Sequence, residues 1–234
     1  YRNFCNKIWN ASRFILLTCK DYQYNESLNS KDSNIFDKWI LYKLDSVVAD
    51  FKKYTTNYRF DLMANSIYDF VWNEYCDWYL EIAKNNINET TQNNLIFSIV
   101  RIIKICHPII PFITEDIWRE FYKKGFVTEP MLINSSFPSQ IRISKEYDIE
   151  SRVENIRDII RKIRKIRAEL SIHPKEIIDV KIYINESNLV KDLAQHSDLI
   201  DNMTNIKIEI TDQKDENIDY IDLIDENYTL YLKI

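Results

Sequence analysis

In residues 2–14 the sequence RNFCNKIWNASRF interleaves cations (Arg2, Lys7, Arg13), amides (Asn3, Asn6, Asn10) and aromatic rings (Phe4, Trp9, Phe14). On one helix this mixture suits unpaired nucleic acid. Cations track phosphates, amides read base edges, and a ring is a stacking platform worth on the order of 1 to 3 kcal/mol per base. Lys7, Asn10 and Phe14 step by three and four and so share a helix face, with Arg13 at its edge. The same spacing fits a helix whose Phe and Trp pack in a core, so the chemistry alone leaves both readings open.

The other reactive side chains offer less. His107, His173 and His196 lie far apart, with no His-x-x-x-His metal pair and no catalytic constellation. His107 precedes Pro108 and His173 precedes Pro174, places suited to capping or loop contacts. Glu74, Asp77 and Glu81 fall on one helix ridge and could form an acid pair or hold a metal, but such ridges are more often solvated or paired with Lys and Arg of a neighbour. Cys5, Cys19, Cys76 and Cys106 contain no C-x-x-C pair and read as small core residues, reduced as in a cytosolic setting. The single glycine, Gly125, excludes a glycine-rich phosphate loop, and with it the dinucleotide fingerprint and the P-loop. No catalytic residue, metal ligand or cofactor is expected from this stretch of chain.

The elements that must position these residues are legible in the apolar spacing. With 234 residues, 45% apolar and 29% charged, the chain has the composition of a soluble globular protein, large enough for one large domain or a medium one with a small companion. It starts at Tyr1 and not at methionine, carries no basic stretch ahead of an apolar one, and has no run near the roughly eighteen apolar residues of a membrane span. The expectation is a cytoplasmic chain cut from something longer, without signal peptide or membrane span. The net charge of -5 hides three regions: 18 basic against 19 acidic residues in 1–150, 8 against 3 in 151–175, and 5 against 14 in 176–234.

Apolar steps of three and four mark helices through Phe4, Ile8, Ala11 and Ile15, and through Phe36, Ile40, Leu44, Val47, Phe51 and Tyr54. The longest predicted helix carries Phe60, Ala64, Ile67, Val71, Tyr75, Trp78 and Ile82. A fourth carries Leu95, Ile99, Ile102 and Cys106 and must end before Pro108. Thr114 then reads as an N-cap, with Glu115 and Asp116 complementing the dipole of a helix through Ile117, Trp118 and Phe121. Short connections favour an antiparallel bundle. Gly125, Pro130, Asn134, Ser135, Ser136 and Pro138 punctuate a loop expected to leave it. A basic helix follows at 148–170, with Val153, Ile156, Ile160, Ile163 and Ile166 on its apolar side.

Beyond it the period becomes two. Strands are predicted through Val180, Ile182 and Ile184, through Ile206, Ile208 and Ile210, through Tyr228, Leu230 and Leu232, and at 220–224, with one helix at Leu189, Leu193, Leu199 and Ile200. The predicted architecture is mainly α, an antiparallel helical bundle at 1–138, a linker and basic helix at 139–175, and a small α/β subdomain at 176–234.

The run RNFCNKIWNASRF resembles the helix that opens the anticodon-binding domain of valyl-tRNA synthetases. Three further segments agree in order and spacing: YRFDLMANSIYDFVWNEYCDWYLEIAK at 58–84, HPIIPFITEDIW at 107–118 and SFP at 136–138. IRAELSIHP at 166–174 is similar to another segment of that family. The resemblance covers roughly the first three-quarters of the chain. WNEYCDWYLE at 72–81 favours the valine enzymes over their isoleucine and leucine relatives, which share the architecture.

The resemblance implies a class I synthetase that activates valine with ATP and magnesium, transfers it to the 3' end of its tRNA, and corrects threonine in a separate editing domain. The family's HIGH and KMSKS signatures do not occur here. Valine tRNA and upstream catalytic and editing domains of the same chain are therefore the implied partners, with a monomer expected and no membrane. By resemblance, Phe14 stacks an anticodon base, Lys7 and Arg13 reach phosphates or bases, and Asn10 makes an amide hydrogen bond. Many bacterial members end in a long antiparallel coiled coil, and no heptad pair is present here. The tail, at -9, is a poor surface for phosphates and is expected to pack on the protein or face solvent. The basic helix reads equally as a second RNA contact or as a structural element. Two alternatives stay open: the corresponding domain of the isoleucine enzymes, and a non-catalytic helical scaffold whose binding to a protein partner would depend little on salt.

Overall fold

The computed structural model describes residues 2–25, 33–141, 148–173, 175–184, 187–211, 220–224 and 228–233. The chain divides into two compact units, Tyr1–Glu146 and Tyr147–Ile234. The first is a helical bundle of α1 (Arg2–Thr18), α2 (Ile35–Thr56), α3 (Phe60–Asp69), a π-helical segment (Phe70–Tyr79), α4 (Leu80–Asn85), α5 (Glu89–Cys106) and α6 (Pro111–Lys123). α1 packs against the π segment, α5 and α6, and α2 packs against α3, the π segment and α5. Among the described residues no helix is long and apolar enough to cross a membrane.

Local chemistry sets the helix ends. Asn34 and Asn88 are N-caps, their side chains accepting from the backbone N–H groups of Asp37 (2.8 Å) and Thr91 (2.9 Å). α6 ends at the one glycine. Gly125 sits at φ 75°, its N–H bonds to Tyr122 O, and Phe126 N–H reaches back to Phe121 O while the two phenyl rings meet at 5.8 Å. The left-handed turn that glycine permits satisfies two orphan carbonyls at once.

Three expectations are corrected in this unit. The helix predicted through residues 60–82 is broken by ten residues of π-helix. Closing i→i+5 bonds winds the chain more slowly and turns adjacent positions inward together. Phe70, Val71, Tyr75, Cys76, Trp78 and Tyr79 are all buried, whereas Phe60 and Ala64 at the start of the predicted stripe are exposed. Thr114 is not the N-cap of α6. Pro111 takes the first helical position, where its missing N–H costs nothing. The Thr114 hydroxyl therefore lies inside the helix, donating to Ile110 O (2.9 Å) with His107 Nδ1 at 2.9 Å. Glu115, no longer in the first turn, accepts from Leu132 N–H (3.0 Å), and Asp116 pairs with Arg119. The punctuated loop does not leave the bundle. Phe126 and Leu132 are buried, the Trp118 indole donates to Glu129 O (2.8 Å), Arg101 donates to Ser139 O (3.0 Å), and the Phe137 ring lies 4.6 Å from that of Phe51. These contacts hold the loop within the first compact unit, Tyr1–Glu146.

Trp39, Trp118, Tyr75, Tyr79 and Phe121 dominate the bundle interior, and Cys19, Cys76 and Cys106 are buried with them. A carboxylate shares this core. Asp37 is 1% exposed and accepts from the Tyr79 hydroxyl (2.7 Å), and burial raises its pKa despite that bond. The folded state thus binds this proton more tightly than the unfolded chain. The resulting stabilisation is complete below the unfolded carboxylate value and is lost as pH rises through the raised folded value. Asp37→Asn keeps an acceptor for Tyr79 and removes the titration. Urea unfolding from pH 4 to 8 is expected to show a steeper loss of stability for the wild type, with the variant at least as stable at pH 7.

The second unit begins with α7 (Ile149–Glu169), whose Val153, Ile156, Ile160, Ile163 and Ile166 are buried as their spacing predicts. It continues with β1 (Ile178–Ile184), α8 (Ser187–Gln195), α9 (Ser197–Thr204), β2 (Ile206–Thr211), β3 (Tyr220–Ile224) and β4 (Tyr228–Lys233). The sheet order is β2-β1-β4-β3, with β1 and β2 parallel and the other pairs antiparallel. Along β1 the even positions from Ile178 to Ile184 are buried. Where one helix was predicted there are two, separated at His196, so that both Leu193 and Ile200 are buried. α7 packs against α8 and α9, and its Asp158 accepts from the Tyr228 hydroxyl of β4 (2.7 Å).

Candidate nucleic-acid interface

α1 is held to the bundle by Ile8, Ala11, Ser12 and Ile15, all buried. One step around the helix from that seam, Lys7, Asn10 and Phe14 line a groove of about 190 Å³, whose opposite wall is Cys76 from the π segment and Leu80, Glu81 and Lys84 from α4. Three of the four predicted site residues are thus brought together. Arg13 is exposed and does not line the groove.

The groove is electrically matched side to side. Lys7 pairs with Asp77 and lies 4.2 Å from the centroid of the Trp72 ring. Its side chain is 25% exposed. Trp72 in turn stacks on Tyr68 at 5.5 Å, and Tyr68 on Phe4 at 5.3 Å, so aromatic rings continue from Lys7 toward the start of α1. At the other end Lys84 Nζ lies 5.5 Å over the half-buried Phe14 ring and is held by Glu81 (2.6 Å). Burial pushes the Cys76 thiol up to about 12, so it is a neutral wall and not a nucleophile. The arrangement offers a partly open ring, an exposed amide at Asn10 and two ammonium groups, which can hold an unpaired base with its phosphate.

Two carboxylates of the ridge read from the sequence are in ion pairs, Asp77 with Lys7 and Glu81 with Lys84 along the groove wall. His107 and His173 make local contacts, the first with Thr114 and the second accepting from Lys175 N–H (3.2 Å). Sequence reading missed Trp72 and Lys84 as parts of the site. Trp72 lay within a motif of the resembling segment, but neither residue carried a signal linking it to α1 some 65 to 70 positions away.

Several cations of the basic helix have partners within the protein. Arg152 grips Asp192 with two bonds (2.9 and 2.6 Å), and Arg157 and Arg161 share Glu154. Lys162 holds Asp158 (2.8 Å), and Arg164 donates to Met203 O (3.1 Å). Arg167, 7% exposed, donates to Asn205 O, His173 O and Glu176 O at 2.8 to 3.0 Å. Arg152, Arg164 and Arg167 thus fasten α7 to the rest of its own unit, while Arg157, Arg161 and Lys162 pair with carboxylates of α7 itself.

The family model described as the anticodon-binding domain of tRNA ligase matches residues 37–182. Over 218 residues the chain is 34% identical to the valine–tRNA ligase of Legionella pneumophila strain Lens, covering 88% of this chain and 23% of that protein. It is 33% identical to the valine–tRNA ligase of Francisella tularensis over 83% of this chain and 21% of that protein. To the valine–tRNA ligase of Buchnera aphidicola from Acyrthosiphon pisum it is 32% identical over 96% of this chain and 24% of that protein. The chain therefore spans about a quarter of the length of these relatives.

Proposed function

The chain belongs to the anticodon-binding domains of tRNA ligases, and from that premise we propose that it is the tRNA-recognising portion of a valine–tRNA ligase. The groove between α1 and the wall formed by the π segment and α4 takes unpaired bases of the anticodon loop. One observation carries this reading: Phe14, Lys7 and Asn10, three side chains suited to one nucleotide, line a single groove. Phe14 supplies the stacking face, Asn10 an amide for a base edge, and Lys7, fixed by Asp77 and Trp72, a positioned positive charge. Arg13, exposed on the same helix, meets the backbone outside the groove.

The longer protein would join valine to its tRNA with ATP and magnesium, held by catalytic and editing domains beyond this chain, as a cytoplasmic monomer. Nothing in that chemistry passes through these residues. Their part is to bind one loop and reject others. A competition experiment with valine, isoleucine and leucine tRNAs tests this. The valine tRNA is expected to bind tightest, with affinity falling as salt rises. Equal binding of all three, or affinity insensitive to salt, would sink the proposal.

A further inference from the structure

We propose that Lys84 is a movable cover for the Phe14 ring, with Glu81 as its holding partner, so that an entering base takes the ring face and the displaced ammonium passes to the nucleotide's phosphate. The inference rests on the groove being the base-binding site. A base that stacks on Phe14 from the groove meets Lys84 first, because Lys84 lines the same groove and its Nζ lies 5.5 Å over the ring. The contacts holding it there are weak by nature. Lys84 and Glu81 are 46% and 47% exposed. An exposed ion pair and an exposed cation–ring contact each contribute little, and a stacked base outweighs them.

Lys7 shows the contrast. Its side chain is only 25% exposed and is fixed between Asp77 and the Trp72 ring. Of the groove's two lysines, one is built to stay and one to leave. Lys84 also stands on the last turn of the six-residue helix α4, where its stem can swing without disturbing packing. The exchange is self-compensating. A stacked nucleotide brings an anion with it, so the ammonium that loses Glu81 and the ring gains a phosphate. A ligand with a negative charge but no base to stack gains only half of this, which makes the cover a filter against indiscriminate polyanion binding.

The pair makes opposite predictions. Binding of the full chain to a fluorescent RNA stem–loop carrying a valine anticodon, and to one with a scrambled loop, is followed by anisotropy across a salt series. Lys84→Met is expected to weaken the valine stem–loop about 5-fold and to reduce the slope of log affinity against log salt by about 0.7, the share of one single-strand phosphate. Lys84→Arg should restore the slope. Glu81→Gln releases the ammonium and is expected to strengthen both RNAs about 2- to 5-fold, the scrambled loop more. A pair that only braced α4 would give both variants the same sign, and that result, or two unchanged affinities alongside a weakened Phe14→Ala, overturns the cover while sparing the groove. A wild-type chain that fails to distinguish the two loops and ignores Phe14→Ala overturns the groove itself and the cover with it.

Discussion

Phe14→Ala is expected to weaken binding of a valine anticodon stem–loop by about 5- to 150-fold, the equivalent of the roughly 1 to 3 kcal/mol that one base–ring stack supplies. Helical circular dichroism should be unchanged. The seam that fastens α1 is Ile8, Ala11, Ser12 and Ile15, and Phe14 stands beside it and half open. Phe14→Leu separates stacking from bulk: it fills the same corner of the groove without a π face and should lose most of the same affinity. Full binding by the alanine variant, with its helix content intact, would remove Phe14 from the site.

The second large effect is on stability. Arg167→Met is expected to destabilise the second unit by about 3 kcal/mol, because a buried guanidinium that satisfies three carbonyl oxygens is replaced by a thioether that satisfies none. Native-state hydrogen exchange can localise the loss. Amides of β1 and β2 should exchange roughly 100-fold faster, the rate equivalent of that free energy, while those of α5 are unaffected. RNA affinity and its salt slope should not move. A clear drop in the slope would instead return the basic helix to the RNA surface.

These two residues mark what could and could not be read from the sequence. The shared face of Lys7, Asn10 and Phe14 was legible because the three step by three and four along one helix, and a local pattern survives folding when the helix is real, whereas the stacking role of Phe14 came from the family resemblance alone. The strands and α7 were legible for the same reason, since periods of two and 3.6 directly encode which face is buried. Arg167 was not. A helix with seven cations looks the same whether the partners of one of them are phosphates or the carbonyls of Asn205, His173 and Glu176, and only the fold says which. Lys84 was invisible as a neighbour of Phe14 because 70 residues separate them in the chain. Thr114 was misread because two start signals competed. Cap chemistry pointed to the threonine, and Pro111 had already taken the first turn. The π segment gave no warning because its apolar steps satisfy an ordinary α pattern and differ only in how many consecutive positions turn inward.

That segment makes the aim of one groove wall a matter of arithmetic as well as chemistry. The azimuth of Glu81 and Lys84 is the accumulated rotation of the ten residues before them. Loss or gain of a single residue there would swing everything downstream by about 100° around the axis. The same turn would carry the buried Leu80, Ile82 and Ala83 out of the core, so the length of the π segment is held by packing as firmly as by the aim of the groove wall.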